Sequence, residues 1–540
     1  MTSGNGQDRQ AARSELVRRL AQLSPKERVE MLLAQEDARA MVRAIPTEDL
    51  YMTIADVGLH DAAELVQLSS PQQFQAFVDL AAWKRDRINL KEVLGWVHAA
   101  RGEDAQELLA KLHQLDLEVL ELVLRSLLVV HDLEENPDVH PAGATLETAE
   151  GKYLIEFLVE GVELAVLRQL VQDLIAENPF EATRLFEAAR WELPSELEES
   201  AYRFRSARLA DLGFPELHEA VSVFTYLDPD RLVTLKSASE GLRPPSQRID
   251  FVEAGFKGLA KEEYDQVEQE IRYLVNSALV AEGAEPGDPR AVRRVSELAR
   301  DYLSLGLEHL TGADPSRAAE VLREHHLKKV FQAGFSLTLR LKFEVERLAK
   351  EPLAKLDGTW LLLPEEAEGV RALALKRPLR ALKVPGAEPV PFRSRRELAE
   401  ARALLEGAGS QREVFSTLLG GSAQNAKAVL ARFGASISEL GPDRLFRAAV
   451  AWAVLDGVAE ARPVPESRVV ELAERCIEGS AHAPKVRASA VERATKALPA
   501  GARSMVDREL GRMAQEWGPA YLTEGRVALP VASVLVPFAP

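Results

Sequence analysis

The stretch SSPQQFQAF, residues 69–77, contains the signal that decides the fold. Ser70 precedes a proline, and Gln73 follows three positions after the serine. Such a serine accepts a hydrogen bond from an unpaired N–H of the first helical turn, and the glutamine side chain bonds back to the serine N–H. Proline fits the first helical position because its missing N–H has no partner there. The stretch therefore predicts a helix that begins at Pro71.

The same helix start recurs along the chain, for example at Ser24–Pro25 and Asn178–Pro179. The apolar residues that precede the N-terminal starts are spaced by 22, 23 and 47 positions, and they are Leu23, Ile45, Leu68 and Leu115. A regular spacing of this size is typical of stacked helical repeats, in which each short unit buries its apolar face on a neighbour. We expect a superhelical stack of short helices at the N-terminus.

Composition supports an all-α fold class. The 540 residues are 46% hydrophobic and only 6% aromatic, and straight side chains such as Leu, Glu and Arg lose little rotamer freedom in a helix. We expect the N-terminal stack to be followed by helical bundle domains. Loops rich in proline and glycine predict five parts, namely a helical repeat domain over 1–135, helical domains over 149–240 and 250–350, a strap or small β element over 351–395, and a C-terminal helical domain over 396–540.

The predicted strap differs from the rest of the chain because residues 351–395 contain six prolines, which exclude a long helix. The runs TWLLLP and RALKV in this segment are suited to short strands or to an extended chain packed on helices.

Charge and cysteine content exclude several classes of protein. A net charge of −17 disfavours nucleic-acid binding, which gains most of its affinity from Lys and Arg contacts to phosphates. The single cysteine, Cys476, cannot form an internal disulfide, and the N-terminus lacks the apolar core of a signal peptide. The sequence therefore predicts a cytoplasmic protein.

No uncharged apolar stretch reaches the length of about 20 residues that a membrane-spanning helix needs. The longest apolar run, residues 153–175, carries Glu156, Glu160 and Glu163 at helical spacing, so we expect one buried central helix there. The tail VALPVASVLVPF is too short and is interrupted by two prolines. We predict no membrane span.

The phrases DARAMVRAIPTEDLYMTIADVG and LVQLSSPQQFQAFVDLAAW lie in the N-terminal quarter of the chain. This part resembles the N-terminal cytosolic domain of the magnesium transporter MgtE, a stack of short helices. Over its whole length the chain is similar to an uncharacterised bacterial family, with marks such as IRYLVNSALVAEG and DYLSLGLEHLTGADPSRAAEVL. The resemblance implies an all-helical cytosolic protein. The transporter's pore and regulatory domains have no counterpart here, so transport is not implied.

An arginine-rich helix is the most distinctive candidate site. Residues 196–211 contain Tyr202, Arg203, Arg205 and Arg208 beside several acidic residues. Planar guanidinium groups suit bidentate contacts to a phosphate or carboxylate, which predicts an anion-binding site. The alternative interpretation is an internal network of ion pairs that fixes this helix in the fold, since residues four apart on a helix can pair.

Metal and nucleotide chemistry receive little support. His131, Asp132, Glu134, Glu135, Asp138 and His140 crowd one loop, but their spacing matches no ligand pattern, so a solvated acidic loop is expected. The phosphate-loop, dinucleotide, nucleophile-elbow and zinc-helix motifs are absent. We expect no metal, no cofactor and no catalytic residue.

The sequence favours a non-catalytic scaffold or adaptor that binds another protein, of unknown identity, in a groove between helices. The alternative is an enzyme or small-ligand binder that holds an anion against Tyr202 and the three arginines in an interdomain cleft. A third hypothesis is a nucleic-acid or membrane-surface role.

Overall fold

Short helices succeed one another along most of the chain. The structure, a computed structural model, describes residues 23–102, 105–232, 250–384 and 386–527. The chain forms two compact units. Unit 1 comprises the residues up to Val223 together with Gln266–Ala299, and unit 2 comprises Phe224–Asp265 and the residues from Arg300 onward. The five-part division stays a prediction, and the loop 241–248 and the tail beyond residue 527 lie outside the described residues.

Unit 1 begins with a stack of short helices. They are α1 (Pro25–Leu33), α2 (Ala38–Ala44), α3 (Thr47–Val57), α4 (Ala63–Leu68), α5 (Pro71–Ala81), α6 (Leu90–Ala100) and α7 (Ala105–Leu112), with a small hairpin of β1 (Trp83–Lys84) and β2 (Arg87–Ile88) before α6. Each helix packs on the helix two positions further along the chain, from α1 on α3 to α5 on α7. These contacts form the expected stack of short helices.

The helix start at Pro71 is confirmed. The Ser70 hydroxyl accepts from the N–H of Gln73 at 3.1 Å, and the Gln73 side chain accepts from the N–H of Ser70 at 2.9 Å. The buried Gln73 amide also donates to the carbonyl oxygens of Val42 and Ile45, each at 3.1 Å. This capping residue therefore also binds two carbonyls at the end of α2, where the Val42 oxygen accepts from the N–H of Ile45 as well.

The prediction of one helix over 153–175 is wrong. After α8 (Leu117–Leu127), the strands β3 (Leu128–Asp132), β4 (Ala144–Glu147) and β5 (Tyr153–Phe157) form an antiparallel sheet in the order β3-β5-β4, and helix α9 spans only Gly161–Glu177. Tyr153, Ile155 and Phe157 are buried on one face, which is the period of a strand. Gly161, with φ of 63°, separates strand from helix.

Three further helices complete the N-terminal part of unit 1. They are α10 (Pro179–Trp191), α11 (Pro194–Asp211) and α12 (Leu217–Val221). Helix α11 is the predicted arginine-rich helix, and both α10 and α11 pack on α8. The chain then continues into unit 2, which contains α13 (Phe251–Lys257). It returns to unit 1 within α14 (Lys261–Glu282) and enters unit 2 again within α15 (Pro289–Leu310).

Unit 2 contains the remaining elements. They are α16 (Ala318–Glu324), α17 (Leu327–Lys350), β6 (Lys355–Leu356), β7 (Thr359–Trp360), α18 (Pro364–Leu373), α19 (Arg395–Leu418), α20 (Ala423–Ala431), α21 (Ile437–Leu440), α22 (Pro442–Asp456), α23 (Val469–Cys476), β8 (Ile477–Ser480), β9 (Ala483–Val486), α24 (Ala488–Ala497) and α25 (Arg503–Glu524). Short 3₁₀ turns lie at Ser222–Phe224, Pro229–Leu232, Pro315–Arg317 and Glu466–Arg468.

The central helix of unit 2 is α22. Every residue from Leu445 to Leu455 on it is buried, so it is surrounded by protein on all sides. Elsewhere in unit 2, α15 and α17 approach closely at glycines, because a Cβ on Gly334 would lie 1.9 Å from the carbonyl oxygen of Tyr302. Among the described helices, none combines the length and the apolar character that crossing a membrane requires.

The proline-rich segment combines the alternatives expected for it. The run TW forms β7 of a two-stranded hairpin, and α18 is a helix of ten residues that begins at Pro364. Residues 374–384 and 386–393, here called the strap, are neither helix nor strand and carry one antiparallel bridge between Arg380 and Val390. Helical content with a few short strands confirms the all-α fold class with a β segment near 351–395.

Candidate functional site

The arginine-rich helix α11 is held by buried carboxylates. Arg208 donates from Nε to Oδ2 of Asp79 at 2.7 Å and from Nη2 to Oδ1 of Asp79 at 2.9 Å. The same guanidinium contacts both carboxylate oxygens of Asp116, at 2.8 and 2.6 Å. Burial raises the pKa of Asp79, although the hydrogen bonds from Arg208 oppose that shift. Arg208 is therefore saturated by two carboxylates of its own unit.

The other members of the predicted anion site also have internal partners. Arg205 is only 5% exposed, and its Nε donates to the backbone oxygen of Asp79 at 2.7 Å. Its guanidinium lies 5.3 Å from the ring centre of Trp83, and the Tyr202 ring packs 5.9 Å from the same indole. Arg203 is exposed and pairs with Glu199. This geometry favours the internal network over the anion site.

The acidic segment 131–140 is not wholly the solvated loop that we expected, because His131 and Asp132 belong to β3 and Asp132 is buried. His131 pairs with Glu156 on the neighbouring strand at 2.9 Å, and Asp132 and Glu135 both contact Arg190 of α10. The pairing with Arg190 was not foreseen because it joins α10 to a loop that lies far from it in the sequence. Within the described ranges, no group of three or more potential metal ligands is assembled.

A groove in unit 2 is the candidate functional site. It lies between α18, the strap, α19 and Arg512 of α25, and its volume is about 590 Å³. Apolar side chains form most of its lining, and they include Leu373, Leu379, Leu382, Phe392, Ala401 and Leu404. Phe392 is completely buried. Volumes of about 300–1,000 Å³ with mostly apolar walls are usual for binding sites in proteins.

Local sequence explains the walls of the groove. Gly369 lets α18 approach α19, because a Cβ at this position would lie 2.6 Å from Cδ1 of Leu404. Within the strap, the N–H of Leu379 donates to the oxygen of Ala372 in α18 at 3.1 Å. Prolines at 378, 389 and 391 keep the strap from forming a helix. The groove therefore has one wall of irregular chain and other walls of helices.

Charged residues line the rim of the groove, and most of them form ion pairs within the protein. Glu365 contacts Arg508 and Arg512, and Arg380 contacts Glu397 at 3.2 Å. Glu366 forms an ion pair with Arg508 through Oε1 at 2.8 Å. Two buried atoms of these residues lack a hydrogen bond. They are Oε2 of Glu366 and Nε of Arg380, which have no hydrogen-bond partner among the described residues. The groove thus combines an apolar lining with a charged rim, and these two atoms lie beneath its surface.

Sequence reasoning marked the strap as unusual but did not identify the groove. Phe392 and Arg512 are far apart in the chain, and the only signal near them was the density of prolines over 351–395. Leu404 and Gly369 carry no motif that distinguishes them from other helical residues. Only the tertiary packing reveals that they share a surface.

Comparison with known proteins gives a family but no relative of known function. No curated protein and no solved structure matches the chain. A family of unknown function matches residues 5–527, which is nearly the whole length. The predicted kinship with an uncharacterised family is confirmed, whereas the resemblance of the N-terminal quarter to MgtE stays a prediction. The chain belongs to the family of unknown function DUF6178.

Proposed function

We propose that the protein is a non-catalytic interaction scaffold that holds a segment of a partner protein in the groove of unit 2. The observation that carries the proposal is the groove itself, an apolar hollow of about 590 Å³ bordered by paired charges. Apolar centres with polar rims are the usual anatomy of protein interfaces.

The wider setting of the proposal comes from the sequence. A single cysteine, buried at position 476, is compatible with the reducing cytoplasm, where we infer that the protein acts. The packing of each N-terminal helix on the helix two positions further supports a common helical-repeat architecture with the cytosolic domain of MgtE. Repeats of this kind offer long surfaces to partners, so unit 1 is suited to a scaffolding role in addition to the groove.

Selection of displayed random peptides on the full chain tests the proposal. Leu404→Asp places a charge in the groove, whereas Ala403→Asp places the same charge on an exposed position of the same helix. We expect peptides selected on the natural chain to bind the Ala403→Asp variant unchanged. Their affinity for Leu404→Asp should fall at least tenfold, which corresponds to about 1.4 kcal/mol.

Two results would contradict the proposal. One is a selection that enriches no peptide over the background of the library. The other is a set of enriched peptides that bind the Leu404→Asp variant as tightly as the natural chain, since those peptides would occupy another surface. Circular dichroism of both variants checks that the added charge leaves the helices intact.

A further inference from the structure

We propose that the strap docks on an anionic lipid surface through the tips of its two loops. This inference goes beyond the proposed function, because it concerns the exposed side of the strap and a partner that is not a protein. Three features carry it. They are a local reversal of charge, four cationic side chains without a partner, and two loop tips that each combine a lysine with an exposed apolar residue.

The sign of the charge reverses around the strap. Residues 371–396 contain eight Lys and Arg residues and one acidic residue, although the whole chain has 67 Lys and Arg against 84 Asp and Glu. A local excess of one sign on a chain of the other sign indicates a partner of opposite charge. Salt screens charges beyond about 8 Å, so the more distant acidic residues have little effect on this segment.

Contacts within unit 2 account for half of these cations. Arg380, Arg393 and Arg396 form ion pairs with carboxylates of the same unit. The guanidinium of Arg377 lies 3.8 Å from the centre of the Phe224 ring. These four side chains therefore serve the fold.

The other four cations are exposed and have no ion-pair partner among the described residues, and they are Arg371, Lys376, Lys383 and Arg395. Two carboxylates lie near them in the chain, those of the half-buried Glu368 and the exposed Glu388. Four positive charges exceed two negative ones, so the charge left over is positive. An anionic surface complements it.

Hydrogen bonds gather the strap into two loops with a common base. The N–H of Leu379 donates to the oxygen of Ala372 at 3.1 Å, which closes the first loop. Arg380 and Val390 exchange two backbone hydrogen bonds, of 2.7 and 2.9 Å, which close the second loop. The loops start from consecutive residues, and the lysine of each loop is three residues from this base. The Cα atoms of the two lysines therefore lie within about 25 Å of each other.

Each loop tip combines a lysine with an apolar neighbour. In the first loop Leu375 is 44% exposed and precedes Lys376, and in the second loop Val384 is 63% exposed and follows Lys383. A lysine can lay its hydrocarbon stem along an apolar layer while its ammonium group stays among the headgroups. Apolar side chains beside such cations enter the boundary between headgroups and acyl chains.

This combination favours lipid over nucleic acid. Proteins that bind single-stranded nucleic acid stack bases on exposed aromatic rings. The one aromatic residue of the strap, Phe392, is completely buried. An anionic bilayer offers phosphates to the lysines and hydrocarbon to Leu375 and Val384 at the same time. The cytoplasmic leaflet carries such anionic lipids.

Sedimentation of the full chain with vesicles tests the proposal. The vesicles are phosphatidylcholine with and without phosphatidylglycerol, and we expect binding only to the anionic ones, weakening as salt rises. Lys376→Glu combined with Lys383→Glu should lower the partition coefficient about tenfold or more. The matched control, Lys427→Glu with Arg444→Glu, makes the same change of net charge at exposed positions of α20 and α22, and should bind as the natural chain does.

A second pair of substitutions tests the apolar tips at constant charge. Leu375→Ser combined with Val384→Ser should lower binding to anionic vesicles about threefold or more. Circular dichroism of every variant checks that the helices are intact.

Four results would overturn the inference. They are equal binding to neutral and anionic vesicles, equal losses in the two charge variants, unchanged binding after removal of the apolar tips, and binding of a DNA duplex in place of vesicles with the same dependence on Lys376 and Lys383. The last result would assign the strap to nucleic acid. Peptide binding in the groove is measured separately, so none of these results decides the proposed function.

Discussion

Arg208 of α11 and Asp79 of α5 form a bidentate ion pair whose two hydrogen bonds measure 2.7 and 2.9 Å, although the residues are 129 positions apart. The Asp79 side chain is 6% exposed, so the pair lies out of reach of most solvent. Asp116 binds the same guanidinium and completes a three-residue network. The network joins the arginine-rich helix to the N-terminal stack.

Removal of Arg208 is expected to destabilise the protein. Arg208→Ala leaves the carboxylates of Asp79 and Asp116 close together, with only the weaker attraction of Arg205 to Asp79. Breaking a fully buried pair costs about 3–5 kcal/mol, which is the upper bound here because the Arg208 side chain is 27% exposed. The matched control is Arg203→Ala on the same helix, because the Arg203–Glu199 pair is more than 60% exposed on both sides. Exposed pairs contribute about 0–1 kcal/mol. Urea unfolding of both variants measures the difference, and equal losses would show that the network does not stabilise the fold.

The close approach of α15 and α17 predicts a large effect of one methyl group. Gly334→Ala would place a Cβ 1.9 Å from the Tyr302 oxygen, so the helices must separate. Overpacking of this kind typically costs about 1–3 kcal/mol or more. At Gly407, another glycine inside a helix, a Cβ meets nothing within 4 Å. Gly407→Ala should instead stabilise by about 0.4–1 kcal/mol. Thermal unfolding followed by circular dichroism compares the two, and a stable Gly334→Ala variant would contradict the packing described here.

Stability is expected to fall on mild acidification because of His309. Its Nε2 lies 3.2 Å from Oδ1 of Asp230, but the two atoms are not aligned as a hydrogen bond. Burial and the nearby charges of Arg395 and Arg340 lower the pKa of His309, and Asp230 opposes this shift only in part. The unfolded chain therefore takes up the proton at a higher pH than the folded chain.

The sign of the pH effect follows from this order of protonation. The stability contributed by neutral His309 is fully present above about pH 6.5 and is lost as the pH falls below that value. One proton limits the slope to about 1.4 kcal/mol per pH unit. Urea midpoints between about pH 7 and pH 5 measure the slope, which should flatten in His309→Gln. Equal slopes in the two proteins would contradict the role of His309.

The thiol of Cys476 is expected to be unreactive in the folded protein. The residue is completely buried, and burial raises the pKa of its thiol to about 12. The thiolate is the reactive form, so reaction with dithionitrobenzoate at about pH 8 should follow opening of unit 2. Because the chain has one cysteine, the colour reports on this site alone. Full reaction within the mixing time of native protein would contradict the buried position.

Local signals predicted the helix starts well. Ser24 and Ser70 cap the helices that begin at the following prolines, and Asn178 accepts from the N–H of Glu181. These signals work because a cap acts within one helical turn, so all the residues that decide it are adjacent in the chain. The same reason explains why strand β5 was missed. A short apolar run fits a helix or a strand equally well, and β5 is decided by its pairing with β3, which is a separate segment of the chain.

The candidate sites show the same division. The sequence marked Arg205 and Arg208 as part of a candidate site. It did not reveal their partner Asp79, because no local pattern links α11 to α5. The prolines of residues 351–395 revealed that this segment was not a long helix, yet the groove depends on Leu404 of α19 and Arg512 of α25 as well.

The sequence by itself determined where helices begin, that they stack with a short repeat, and that the chain is mostly helical, because capping, proline geometry and helical periodicity act between near neighbours. Tertiary structure alone decided which arginines are neutralised and where an apolar groove forms. Those properties depend on burial and on contacts between residues far apart in the chain, which remove water and bring unlike elements to one surface.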